Sequence, residues 1–250
     1  MSEYRQIHLA EANPGRWPAH PSLETLIPED RKIDGIAEVT FENALSPLAG
    51  REQTALAFAD EVNVFRRTLL YAGPPSSSRW YDVALGSHPG SRAVLYLRRG
   101  KDTGTVAFHK FVKKTLVPAL VETGVLTELR TQVFLPWSQK LWDTPNVAHD
   151  NPEEQHLHAW VILGFVDDEA REKFFAGGQA ANLSELIAPF YLGRSRLRCG
   201  NDPALRKGWR DSRSTRILAA RQTAKACANR SVQPTDRIAQ ALVHCLIASA

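Results

Sequence analysis

Residues 156–191 read HLHAWVILGFVDDEAREKFFAGGQAANLSELIAPFY, and this stretch decides the fold class. Residues 157–166 are apolar enough for a buried strand, and Asp167 follows where a helix N-cap is expected. Residues 34–71, DGIAEVTFENALSPLAGREQTALAFADEVNVFRRTLLY, repeat the pattern: a strand-like run closes on an aromatic residue, and acidic residues and a helix-like stretch follow. A strand that feeds a helix twice predicts a duplicated α+β unit.

The second copy has the clearer order of elements. Strands are predicted at 93–97, 126–135, 157–166 and 194–199, and helices at 106–122, 167–175 and 183–189. This is the β-α-β-β-α-β order of a ferredoxin-like unit. In the first helix, Phe108, Val112, Leu116 and Leu120 share one apolar face, Pro118 predicts a kink or break, and Gly124 ends the helix.

The first copy is abbreviated. After an irregular, Pro-rich N-terminal arm it has a predicted strand at 36–41, a helix at 51–71 and a strand at 80–85. We therefore expect three segments: residues 1–89 as an abbreviated ferredoxin-like half, 90–200 as a complete half, and 201–250 as a basic, mostly helical tail. Two antiparallel sheets that face one another would form an α+β barrel, which hides the strand edges.

Composition is that of a globular protein, with 43% hydrophobic and 23% charged residues. There is no apolar run long enough for a membrane span and no secretory signal pattern, and the three cysteines lack paired spacing, so a cytoplasmic location is expected. Residues 201–230 carry eight Lys or Arg and two Asp, more net positive charge than the +4 of the whole chain. The tail is interpreted as a solvated appendage, and nucleic acid is disfavoured as a partner because its binding signatures are missing.

The order of elements, with DGIAEVTF and HAWVILGF before acidic helix starts, resembles the dimeric α+β barrel superfamily, nearest its EthD-like group. The resemblance covers roughly residues 30–200. It implies a cofactor-free decarboxylase, cyclase, dehydratase or oxygenase of secondary metabolism, acting on aromatic or polyketide-like molecules; other members bind haem. Whether two chains pair as a homodimer stays open.

The histidines of the best strand are the first candidates for chemistry. Alternation puts His156, His158 and Trp160 on one face, where an imidazole could transfer protons near neutral pH. A strand-end histidine at the solvent boundary is the other interpretation. The pair also fits a metal site with a third ligand from His149, Asp150, Glu153 or Glu154, but no metal is expected. His109 shares the apolar face of its helix, so it is either a core histidine or a second proton carrier.

Two charged residues are further catalytic candidates. Glu38 alternates with Thr40 on one strand, and Arg130 alternates with Glu128, Gln132 and Phe134 on another. Facing a cavity, Glu38 would act as a general base, and Arg130 would hold a carboxylate or an enolate oxygen. Facing solvent, both would be ordinary surface residues.

Aromatic residues supply candidate walls for a planar ligand. Those assigned to substrate binding, together with His156, are Tyr96, Trp137, Trp142 and Trp160. Trp137 and Trp142 lie in the long loop 136–155, which we expect to cover a pocket.

Nucleotide-binding, zincin and α/β-hydrolase motifs are absent. Together with the histidines, the resemblance implies a cofactor-independent lyase or cyclase that acts on a small hydrophobic substrate by His-mediated proton transfer. The alternatives are a haem-binding barrel, with His158 or His109 as axial ligand, and a non-catalytic binding or assembly module.

Overall fold

The computed structural model describes residues 3–9, 15–41, 59, 61–84, 87–190 and 243–249, with 3–4 and 243–249 as backbone. The strands are β1 Glu3–His8, β2 Gly35–Thr40, β3 Arg67–Gly73, β4 Ser78–Tyr81, β5 Ser91–Leu97, β6 Glu128–Val133, β7 Ala159–Phe165 and β8 Val243–Ser249. The α-helices are α1 Thr105–Phe111, α2 Val117–Glu122, α3 Asp168–Ala176 and α4 Gly178–Ile187. Short 3-10 turns lie at Glu29–Arg31, Gln139–Leu141, Glu153–Gln155 and Ala188–Phe190.

The described strands form two four-stranded sheets. The first has the order β1-β2-β8-β3 and the second β4-β6-β7-β5, and every neighbouring pair is antiparallel. The predicted α+β class with antiparallel sheets is confirmed. The predicted closed barrel is not formed by these strands, because no strand of one sheet pairs with a strand of the other.

One core lies between the second sheet and its helices. Phe108, Val112, Leu116 and Leu120 are at most 2% exposed, which confirms the predicted inward face. They pack with Ala159, Val161, Leu163 and Phe165, the residues of β7 that point to the same side. Burying a large apolar side chain of this kind stabilises the fold by roughly 1.5–3 kcal/mol.

Helix ends follow the expected local chemistry. Asp167 Oδ1 accepts a hydrogen bond from the Ala170 amide at 2.8 Å, so the predicted N-cap is confirmed. Pro118 does not break its helix, because a π-helical turn, Val112–Leu116, precedes it and the proline then lies in the first turn of α2. Gly124 ends α2 at φ +68°, which glycine adopts without strain. No helix in the described part of the chain is long and apolar enough to cross a bilayer.

A second, smaller core joins the two sheets. Ile36 and Tyr71 of the first sheet pack against Phe134 and Trp160 of the second, and all four are at most 3% exposed. The sheets approach closely here, since a β-carbon on Gly73 would come within 2.3 Å of Gln132 Nε2. Trp160 is therefore a packing residue of this core.

Two segments that were predicted to be helical contain strands. The helix expected over 51–71 ends early, because residues 61–64 are helical and Arg67–Gly73 is β3. Within the expected helical tail, Val243–Ser249 is β8, which lies between β2 and β3. An inner strand is apolar without alternation, so its pattern resembles that of a buried helix. The strand expected at 194–199 lies outside the described residues.

Each sheet contains strands from distant parts of the chain. β4 falls within residues 1–89 but pairs with β6 of the second sheet. β8 falls within 201–250 but belongs to the first sheet. Sheet membership is decided by pairing partners far apart in the chain.

Candidate ligand-binding site

A cavity of about 1190 Å³ opens between the two sheets and is called the inter-sheet cavity below. The first sheet contributes Ile7, Leu69 and Tyr71, and the second contributes Trp80, Val94, Tyr96 and Ile162. Both faces of β5 line it, because β5 is an edge strand and the cavity continues around that edge to Phe111 and Phe190 of the helical layer. The walls are mainly apolar and aromatic.

Arg130 stands in this wall as a buried charge. Its Nη2 donates to Glu38 Oε2 at 2.5 Å, and the two side chains are 8% and 4% exposed. Arg130 projects from β6 and Glu38 from β2, so the ion pair connects the two sheets. Arg130 is among the residues that line the cavity, and Glu38 is not. The structure thus brings together two of the four residues predicted to be catalytic.

Trp80 supports the guanidinium of Arg130. The Arg130 Cζ lies 4.0 Å from the indole centre, and the Cζ of Arg5 lies 4.4 Å from the same ring. Register explains the first contact, since Trp80 of β4 is directly opposite Arg130 of β6. Two cations on one indole are each stabilised by the negative face of the ring. The sequence did not single out Arg5 or Trp80, because neither belongs to a recognisable motif.

The cavity wall contains many charged residues besides its apolar ones. Among the described residues, its lining includes nine Arg or Lys and four Asp or Glu. At least eight of these nine basic residues form ion pairs, for example Arg92 with Glu128 at 2.7 Å and Arg98 with Glu24 at 2.6 Å. Four of the partner carboxylates lie just outside the lining: Asp34, Glu38, Asp150 and Glu172. Neighbouring carboxylates therefore compensate most of the positive charge of the lining.

His158 and His109 lie near one another, but neither lines the cavity. His158 Nδ1 accepts a hydrogen bond from the Arg99 amide at 3.1 Å, and its ring meets Phe108 edge-on at 6.0 Å. Burial, and after it the positive charge of Arg99, lowers the pKa of His158 to about 4. Burial and the charge of Lys113 also lower the pKa of His109. Both imidazoles are therefore neutral at neutral pH, on the helical side of the second sheet.

The aromatic candidates are divided between the cavity and other places. Tyr96 lines the cavity, whereas Trp137, Trp142 and Trp160 do not. Trp137 packs on the ring of His156 at 5.2 Å, and His156 Nε2 lies 2.9 Å from the Asn151 carbonyl oxygen. These two residues organise the loop, and the roles proposed for them in ligand binding stay predictions.

The long loop lies along the free edge of β3. The backbone amide of Thr68 donates to the Ala148 carbonyl, and the amide of Ala148 donates to the Arg66 carbonyl, both at 3.1 Å. Asp150 receives two hydrogen bonds from Arg67, at 3.0 and 3.1 Å, and a contact of 3.2 Å from Arg31. Burial alone would raise the pKa of Asp150, but the hydrogen bonds and charge of Arg67 lower it overall. From the end of this loop, Asn151 and Gln155 reach the cavity.

A buried polar cluster that the sequence did not predict anchors the loop. The Glu61 carboxylate accepts hydrogen bonds from Trp142 Nε1 at 2.9 Å and from the Thr144 hydroxyl at 2.5 Å. His149 places Nδ1 2.7 Å from the Thr68 carbonyl oxygen and Nε2 3.1 Å from that of Thr144. All of these residues except Trp142 are buried. The only sequence signal was the presence of Trp142 in the loop, since a large aromatic residue there needs a partner.

No metal centre is formed by the described residues, in which no three His, Cys, Asp or Glu side chains are grouped to hold an ion. Comparison with known proteins assigns no family either: no family model, no curated protein and no solved structure matches the chain. The class that fold and site define is an α+β protein with a ligand-sized cavity between two antiparallel sheets. Its function must be argued from that cavity.

Proposed function

We propose that this protein binds a small hydrophobic molecule, aromatic or polyketide-like, in the inter-sheet cavity and converts it without a cofactor. The observation that carries the proposal is the cavity itself, with a buried arginine in a mainly apolar wall. Ligand sites typically measure about 300–1,000 Å³ and combine apolar walls with a few polar groups. A volume of about 1190 Å³ accommodates a polycyclic molecule or a long acyl chain.

The chemistry that fits this wall is proton transfer next to a carbonyl group, as in lyases and cyclases. Arg130 would stabilise the negative charge that develops on the carbonyl oxygen when the neighbouring carbon loses a proton. Glu128 lines the cavity on the same face of β6, two residues away and hence ~7 Å along the strand. Its carboxylate, which accepts a hydrogen bond from Arg92 Nε at 2.7 Å, would accept that proton. The C–H electron pair would form the new C=C bond, and the carbonyl π pair would move to the oxygen held by Arg130. This assignment replaces His158 and His109, which lie off the cavity.

Strand order supports the resemblance from which this class of reaction was inferred. β5 and β6 are separated by β7 and joined through α1 and α2, as a ferredoxin-like unit requires. β2 and β3 are likewise separated by β8. The proposal that the chain is a duplicated ferredoxin-like protein related to the dimeric α+β barrels rests on these two arrangements.

The haem alternative receives less support from the cavity than the cofactor-free reaction. An axial ligand needs an imidazole that faces the cavity. In the described part of the lining the histidines are His8 and His88, both exposed, and neither His158 nor His109 is among them. We derive no step through haem.

A neutral fluorescent probe, Nile red, tests binding in the cavity. Val94→Trp fills space at the cavity wall, and Val106→Trp makes the same change on α1, where the residue is 82% exposed. Wild type and Val106→Trp should bind the probe with blue-shifted emission, and Val94→Trp should lose most of that binding. Equal binding by a folded Val94→Trp variant, or no binding by wild type, would contradict the proposed site.

Deuterium exchange separates an enzyme from a binding module. An enolisable aromatic ketone such as benzoylacetone is incubated with the protein in heavy water and followed by NMR. The proposal expects faster exchange with wild type, a loss of that acceleration with Glu128→Gln and no loss with Glu154→Gln, an exposed residue outside the cavity. Binding without faster exchange would favour the non-catalytic module.

A further inference from the structure

We propose that the cavity selects ligands that carry a carboxylate, and that Arg130 and Arg5, both stacked on Trp80, recognise that group. This inference rests on the proposed function, because it specifies the ligand of the same cavity. It goes beyond that function by assigning the charged end of the ligand and two residues, Arg5 and Trp80, to its recognition.

Arg130 has donors to spare for a ligand. A guanidinium has five N–H donors in a fixed plane. Within the described part of the chain its one hydrogen bond runs from Nη2 to Glu38, and Nε is buried without a hydrogen-bond partner. A buried donor without an acceptor is costly, so an arriving carboxylate oxygen that engages the guanidinium would be favoured.

Glu38 holds the guanidinium of Arg130 in place and leaves its other donors for a ligand. Two guanidinium groups, from Arg130 and Arg5, meet at the Trp80 ring, and one carboxylate, from Glu38, is hydrogen-bonded to the first. An anion that reaches Trp80 can therefore be bound by two guanidinium groups that stack on the same ring.

The surroundings decide between a small inorganic anion and an organic acid. Val94 and Ile162 are opposite one another in adjacent strands, and Ile162 is also opposite Arg130. All three line the cavity. A planar apolar body can lie on this aliphatic wall while its carboxylate reaches the guanidinium, since apolar burial and charge recognition are then satisfied together. The ligand class is a hydrophobic, planar carboxylic acid.

The probes are naphthoic acid and the matching naphthamide, which have nearly the same shape but differ in charge at neutral pH. Their affinities are measured by displacement of Nile red. Wild type should bind the acid about tenfold or more tightly than the amide, because a hydrogen-bonded charge contributes more than a neutral polar group. The preference should weaken with added salt.

Three variants locate the recognition. Arg5→Met leaves the Arg130–Glu38 pair intact and should reduce the preference for the acid. The double variant Arg130→Met with Glu38→Leu removes the pair without leaving a lone buried charge, and it should abolish the preference. Arg66→Met, exposed and outside the cavity, should behave as wild type.

The outcomes separate this inference from the proposed function. Equal affinity for acid and amide, or a preference that persists in the double variant, overturns the carboxylate site and leaves the cavity as a binding site. Failure of both compounds to displace bound Nile red also overturns it. Failure of Nile red itself to bind overturns the proposed function and, with it, this inference.

Discussion

Arg130 of β6 and Glu38 of β2 form a buried ion pair, 2.5 Å from Nη2 to Oε2, that joins the two sheets of the protein. Ninety-two positions separate the two residues in the chain. The pair thus reports how the sheets are stacked, and it also sets the position of the one buried cation in the described cavity wall. Its energetics can be tested independently of any ligand.

Removing one partner of the pair should be far more costly than removing both. Arg130→Met should lower the free energy of unfolding by about 3–5 kcal/mol, because it leaves the Glu38 carboxylate buried without a counter-charge. The double variant Arg130→Met with Glu38→Leu should recover most of that loss, since two apolar side chains replace two desolvated charges. Urea denaturation of wild type, both single variants and the double variant gives the four free energies of unfolding that a double-mutant cycle needs. Additive losses would mean that the two side chains do not interact in solution.

The free energy of unfolding should decrease as the pH is lowered through the window in which His158 titrates. Its pKa is about 4 in the folded protein, against an ordinary 6.5. Below pH 6.5 the unfolded chain takes up a proton at this position, whereas the folded chain takes it up only near pH 4. The free energy of unfolding therefore decreases as the pH falls through this window, and it has its full value above pH 6.5. Denaturation midpoints measured across the window test this expectation.

The matched variant for that test is His158→Asn. Its side-chain oxygen can accept the hydrogen bond of the Arg99 amide, as Nδ1 does, but it does not titrate. The decrease in stability should become smaller in this variant and stay unchanged in His88→Asn, an exposed histidine. An unaltered pH dependence in His158→Asn would show that His158 does not contribute.

The buried cluster at Glu61 should be a main anchor of the long loop. Glu61→Ala removes the acceptor for Trp142 and Thr144, and the loss of charged hydrogen bonds should cost about 3 kcal/mol. Glu61→Gln keeps one acceptor oxygen and should cost less. Glu153→Ala, exposed in the same loop, should change stability little. Equal stabilities of the Ala variants at 61 and 153 would contradict the anchoring role.

The hydrogen bonds that Arg67 donates to Asp150 should hold the loop against β3. Asp150 is half exposed, so its hydrogen bonds to Arg67 should contribute about 1 kcal/mol to the stability of the loop. Asp150→Asn should therefore increase the rate of tryptic cleavage after the exposed Lys140 severalfold. Asp143→Asn, whose side chain bonds only within the loop among the described contacts, should leave that rate nearly unchanged. Cleavage that is equally fast in both variants would mean that the loop is held elsewhere.

Local periodicity predicted much of the second sheet and its helices. The inward face from Phe108 to Leu120, the Asp167 cap and the Gly124 stop depend on residues a few positions apart, whose relation is set by helix geometry alone. Boundaries were less well predicted near residue 67, because Leu69, Leu70 and Tyr71 continue an apolar run that suits a helix and a strand equally. Pairing with β8, more than 170 residues away, decides that this run is a strand.

The candidate site was likewise predictable only in part from the sequence. Alternation predicted that Arg130 shares a face with Glu128, and that Glu38 lies on the polar side of its own strand. Whether those faces meet solvent or each other depends on how the two sheets stack, and that is a property of the whole chain. His158 illustrates the converse, because it extends the predicted cavity face of β7 in sequence but packs against Phe108 once the helix is in place.

Short-range patterns in the amino-acid order were thus enough for the α+β class, the apolar helix face and the caps, since each is settled within one or two turns of chain. The insertion of β8 between β2 and β3, the cavity and the meeting of Arg130, Glu38 and Trp80 were decided in three dimensions. Their physical reason is the burial of two sheet faces against one another, which selects partners by shape and charge without regard to their separation in the chain.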